Sequence, residues 1–139
     1  MEMTGSWTAV PRLNLAFAWV WILLGFLSGA LLGLRFKEDR WLGGYGGFRR
    51  RLYRLGHISF FGLGLVNFLF AMTLPSLGLE PQRLATWAGH AFLTGGLLMP
   101  ACCLVMAHFE KAPPVLVFAA PVSTLLLGGS LTLHLILKP

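Results

Sequence analysis

Four long apolar runs, separated by short polar breaks, account for most of the chain: residues 13–34, 55–74, 84–107 and 115–137. Each reaches the roughly 20 residues that cross a hydrocarbon core about 30 Å thick. A helix satisfies its own backbone groups inside lipid, so runs of this length and apolarity predict helices. The pattern therefore predicts an all-α integral membrane protein, a four-transmembrane-helix up-and-down antiparallel bundle in which residues 1–139 form a single transmembrane domain. Pro11 and Arg12 precede the first run, Pro75 closes the second, and Pro100 and Pro121 fall inside the third and fourth. A bend is expected at Pro100. The opening MEMTGSWTAVPR lacks a basic n-region and is followed by a full-length span, so the first helix is expected to remain in the mature protein.

The one substantial polar break, residues 35–54, reads RFKEDRWLGGYGGFRRRLYR. Arg35, Lys37, Arg40, Arg49, Arg50, Arg51 and Arg54 stand in it, against Glu38 and Asp39 as its acids. The positive-inside rule makes this loop cytoplasmic and puts both termini on the outer side of the cell inner (plasma) membrane. Gly43, Gly44, Gly46 and Gly47 around Tyr45 mark a flexible turn. No strand and no Lys-Ser/Thr ending accompany them, so they do not read as a phosphate loop. Trp7, Trp19, Trp21, Trp41 and Trp87 fall mostly near expected span ends, where interfacial anchors sit.

Of the 139 residues 56% are hydrophobic and 12% charged, which excludes an ordinary soluble domain. The net charge of +6 does not imply nucleic acid, because the basic residues cluster beside a span and anionic lipid accounts for them. The expected partners are the lipid bilayer and other membrane-protein subunits. Cys102 and Cys103 are adjacent within an apolar run and carry no disulfide framework. No span holds Asp, Glu or Lys, and no Ser-His-Asp, Cys-His-Asp or HExxH pattern supports hydrolysis.

The candidate chemistry lies in histidines and small residues. His90 and His108 are separated by a whole number of helical turns and share one stripe of the third span, about 27 Å apart at 1.5 Å rise per residue. His90 and His134 lie at similar depth on sequential helices, with Gly95, Gly96, Gly128 and Gly129 a turn or two deeper. Two imidazoles flanked by small residues are what a bis-histidine b-type haem needs, the iron held by His90 and His134. The plainer alternative is interhelical hydrogen bonding and close packing at the glycines. His57 and His108, with Arg51 and Arg54 nearby, pair at the opposite surface as a quinone or proton site or as ordinary interfacial histidines. Met99, Cys102, Cys103, Met106 and Met72 are soft Cu(I) donors by type, though such a face more often only packs. Gly25, Gly29 and Gly33 form a small-xxx-small groove, facing either the chain's own bundle or another subunit.

The segments GALLGLRF and GLGLVNFLF resemble early helices of the small four-helix fluoride channels. The Thr-Thr-Phe-Ser break of that family's third helix is replaced here by TGGLLMPACC, so the family is not assigned. In size the chain is similar to bacterial four-helix b-type cytochromes, which place a ligand in their first helix, where this chain has no histidine. With little beyond spans to offer, the chain is expected to be a small subunit of a respiratory or other electron-transfer complex, carrying haem b or a quinone. The alternatives are a cofactor-free structural or assembly subunit and a stand-alone channel or carrier, copper handling included.

Overall fold

The computed structural model describes residues 9–79 and 82–138, and it is all-helical. Helices α1 (Ala9–Leu34), α2 (Phe48–Ser76), α3 (Arg83–His108) and α4 (Pro114–Leu137) follow in order, with a short 3-10 turn at Trp41–Gly43. All four are long and apolar enough to cross a membrane. Trp7 lies outside the described residues.

The helices overrun the apolar runs, most at the polar ends. Helix α1 begins ahead of Pro11, whose missing N–H costs nothing in a first turn that has no partner for it. Helix α2 takes in Arg49, Arg50, Arg51 and Arg54, because arginine is a good helix former and charge ends an apolar run without ending a helix. It also includes Pro75 and stops one residue later. Gly78 there has φ 62, with Leu79 N–H donating to the Leu74 carbonyl at 3.0 Å and Gly78 N–H to that of Pro75 at 3.3 Å. This is a Schellman stop, and only glycine takes its left-handed position without strain. Helix α3 continues through Pro100, and Pro114 opens α4 in the first-turn position that suits it.

Contacts pair early residues of one helix with late residues of the next. Asn14 meets Asn67 and Ser28 meets His57 between α1 and α2. Phe70 meets Phe92 and Tyr53 meets His108 between α2 and α3, while Phe92 packs on Gly128 and Cys102 bonds to Val117 between α3 and α4. Helix α3 packs on all three others, whereas the extensive contact of α4 is with α3. The buried residues of α4, Pro121, Gly128 and Leu135, recur every seventh position and make one narrow seam.

Two apolar clusters close the ends. One joins Phe70, Leu74, Ala85, Ala88, Phe92 and Leu135. The other, at the end carrying residues 35–47, joins Leu52, Met106 and Ala107. The outward faces remain apolar, with Trp19, Leu23, Phe26 and Leu27 of α1 and Val115, Leu126 and Leu133 of α4 exposed. Trp21 departs from the interfacial pattern: its indole N–H donates to the Gly96 carbonyl at 3.1 Å and its ring stacks on Phe17, joining α1 to α3 mid-span.

The turn around Tyr45 is folded. Leu42, Gly43 and Gly44 all have positive φ, and a Cβ on Gly47 would lie 2.6 Å from the Leu42 carbonyl oxygen. Arg50, only 4% exposed, holds this segment by donating to the carbonyls of Phe36 (3.2 Å) and Glu38 (3.4 Å). Its guanidinium also lies 5.2 to 6.0 Å from the ring centroids of Tyr45, Trp41 and Phe36.

Candidate functional site

A cavity of about 490 Å³ opens at the loop end among α1, α2, α3 and the 3-10 turn. That volume is within the range of small-molecule sites. Leu31 and Leu32 of α1, Phe60 of α2 and Pro100 and Leu104 of α3 make its walls apolar. Trp41 and Tyr53 add aromatic rings, and Ser28, Arg35 and His57 supply the polar chemistry.

The imidazole of His57 is positioned from two helices. Its Nδ1 lies 3.0 Å from Ser28 Oγ, which is itself 3.0 Å from the Gly25 carbonyl one turn back in α1. Phe61 meets the ring edge-on, with centroids 5.4 Å apart and planes at 85°. The ring lies over Gly29, where a Cβ would come 2.7 Å from Cε1 and 3.3 Å from Nε2. Gly25 likewise receives the Phe61 ring. Two members of the small-residue groove are thus occupied by side chains of the chain's own second helix, and the third, Gly33, has open space where a Cβ would go.

At the loop side of the cavity, Arg35 pairs with Glu38 at 2.6 Å, and Trp41 lies under the Arg50 guanidinium at 5.7 Å. Of the other residues linked to His57 by sequence, Arg51 is exposed, and Arg54 bonds to the Tyr45 carbonyl at 3.4 Å and stacks on its ring. His108 is exposed; its Nδ1 bonds to the Leu104 carbonyl at 2.9 Å, and it lines a separate surface depression with Arg49 and Glu110, which pair at 3.1 Å. Tyr53 is the side chain that stands between them, lining the His57 cavity and lying 6.2 Å from the His108 ring.

At the opposite end His90 and His134 are both exposed, and His90 lines a shallow depression with Arg83, Thr86 and Trp87. The glycines beside them are in contact with packed side chains. A Cβ on Gly95 would meet Leu125 at 2.6 Å, one on Gly96 would meet Phe17 at 2.7 Å, and one on Gly128 would meet Phe92 at 3.0 Å, while Gly129 faces open space. Leu125 and Phe92 thus pack between α3 and α4 beside Gly95 and Gly128.

The soft donors that the structure locates take part in packing. Met106 belongs to the Leu52 cluster, Cys103 is buried beside Gly56, and Cys102 donates its thiol to the Val117 carbonyl at 3.2 Å. No cluster of three His, Cys, Asp or Glu able to hold a metal ion occurs among the described residues.

Sequence reasoning passed over Ser28 and Tyr53 at the cavity, and Asn14 at the other end. Asn14 and Asn67 are fully buried and bonded to each other at 2.7 Å, with Asn14 also donating to the Gly89 carbonyl at 3.2 Å. Their signal was available: an asparagine inside an apolar span requires a partner. For Ser28 the signal was its place in the Gly25-to-Gly29 turn, on the face whose glycines admit α2.

Comparisons with protein-family models, with curated proteins and with solved structures find no match to this chain.

Proposed function

We propose that this chain is a small membrane-embedded subunit of an electron-transfer complex whose own contribution is a quinone site at His57. The four helices stand as an up-and-down antiparallel bundle in the plasma membrane, with residues 35–54 in the cytoplasm and both termini outside. The observation that carries the reading is the cavity of about 490 Å³ with apolar and aromatic walls and an imidazole anchored to Ser28. A quinone is a lipid-soluble ring with oxygen at both ends. It needs a slot at the membrane surface, flat rings against its faces and hydrogen-bonding groups at its oxygens. Phe60, Trp41 and Tyr53 supply rings, while His57 and Arg35 supply the polar ends.

Photolabelling of the purified chain with an azido-quinone tests the site. Label is expected on the peptide bearing Tyr53 to Phe60 or on that bearing Pro100 to Leu104, and is expected to fall when unlabelled quinone competes. Label spread evenly over lipid-facing residues would leave a cofactor-free structural subunit as the better reading. For the orientation, a cysteine introduced at Lys37 should react with a membrane-impermeant maleimide in inverted vesicles and be protected in intact cells.

A further inference from the structure

We propose that the His57 cavity selects the reduced form of its ring ligand, a hydroquinone, whose O–H donates to His57 Nε2. The proposal rests on the quinone-site reading and goes beyond it in naming the oxidation state that the site recognises.

The argument begins at Ser28. Its single hydroxyl proton has two neighbours, the Gly25 carbonyl and His57 Nδ1, each 3.0 Å from Oγ. A carbonyl oxygen can only accept, so the arrangement that satisfies both contacts at once puts the hydroxyl proton on Gly25 O. Oγ is then left to accept from an Nδ1–H. In a neutral imidazole protonated at Nδ1, the other nitrogen carries a lone pair and no proton. On a residue that lines the cavity, Nε2 is therefore the acceptor nitrogen. Nδ1 is the ring nitrogen with a hydrogen-bond partner among the described residues, and Gly29, whose Cβ would lie 3.3 Å from Nε2, offers that nitrogen no side chain.

The other polar group on the cavity has the opposite character. Arg35 keeps donors beyond the one given to Glu38, and a guanidinium can never accept. A ligand reaching both groups must donate at His57 and accept at Arg35. A hydroquinone does both, since each hydroxyl is donor and acceptor. A quinone offers acceptors alone and would set a carbonyl lone pair against that of Nε2. One hydrogen bond gained against one lone-pair conflict corresponds to about tenfold in affinity or more.

The test uses the full chain in lipid nanodiscs, held anaerobic so that the hydroquinone stays reduced. Three short-tailed probes are compared by quenching of tryptophan fluorescence: a benzoquinone, its hydroquinone, and the hydroquinone dimethyl ether, which keeps the ring and both oxygens without an O–H. The hydroquinone is expected to bind about tenfold tighter than the other two. In His57→Phe the three should bind alike and weakly. Ser28→Ala, which removes the group that holds the Nδ1 proton without touching the ring, should shrink the preference by itself and serves if His57→Phe does not fold. Equal or tighter binding of the quinone by the wild type overturns the proposal and leaves the cavity a quinone site. Preference retained in Ser28→Ala or His57→Phe also overturns it. Binding of none of the three probes instead overturns the site reading itself.

Discussion

At the residue scale, the polar side chains inside the apolar helices decide how they register. Asn67 donates to the Leu63 carbonyl at 2.8 Å and to that of Phe92 at 3.5 Å, which fixes its amide with Oδ1 toward Asn14. Asn14→Leu then leaves that oxygen without a donor and removes the tie to Gly89. A loss of about 1 kcal/mol is expected, measured by denaturant unfolding in bicelles, because interhelical hydrogen bonds in lipid contribute on that order. The double variant Asn14→Leu, Asn67→Leu should cost less than the sum of the singles, since each single strands a partner. Gly29 gives a separate test. Alanine there gains helix propensity of about 1 kcal/mol, yet its Cβ would lie 2.7 Å from Cε1 of His57 and push the imidazole aside. Stability should therefore hold while quinone affinity falls about tenfold, the signature of a site residue rather than a core one. That Gly25 and Gly29 form a groove was legible from their spacing. What fills it, Phe61 and His57 of α2, was not, because spacing along one helix says nothing of the register of its neighbour.

At the element scale, apolar runs and helices are different objects. The run at 84–107 meets α3 to within one residue at each end, whereas the run at 55–74 located α2 but not its start at Phe48, since hydropathy marks where lipid would stop and caps mark where helix stops. The length and sign of the 35–54 segment were readable from composition, whereas its shape depends on one arginine among seven basic residues. Arg50 is distinguished by burial alone: it sits one helical turn ahead of Arg54 and faces inward, with loop carbonyls and rings around it. Arg50→Ala should release residues 36–45, at a cost of about 2–3 kcal/mol for charge-assisted hydrogen bonds and the aromatic contacts together. The readout is faster tryptic cleavage after Arg40 in the folded, detergent-solubilised protein. Arg50→Lys should recover little of the protection, because one ammonium cannot reach two carbonyls in the fork that a guanidinium makes. Cleavage at the wild-type rate in Arg50→Ala would show that the turn holds itself. As Trp41 lies both under Arg50 and on the cavity, the same variant should weaken quinone binding.

At the scale of the whole molecule, the four helices do not contribute equally. The cavity is lined from α1, α2, α3 and the 3-10 turn, and among the described residues none that lines it belongs to α4. Helix α4 joins the rest through the seam of Pro121, Gly128 and Leu135 on α3, supplemented by Leu125 over Gly95 and the Cys102 thiol bond to Val117. A single bulky residue at the centre of a narrow seam should therefore separate α4 from the three helices that remain packed. In Gly128→Leu the Cβ alone would lie 3.0 Å from the Phe92 ring, and Phe92 is itself held against Phe70 at 5.3 Å, so the ring has little room to yield. Helix α4 should move off by the width of the side chain. Cys102 should then react several-fold faster with a small lipid-soluble maleimide, because its contact with Val117 is lost, while Cys103, buried on the α2 side against Gly56, stays protected. Quinone binding should be unchanged. Loss of binding together with exposure of Cys103 would mean instead that α4 holds the other three helices in register, and that the bundle folds as one unit rather than as a three-helix site with a fourth helix laid along it.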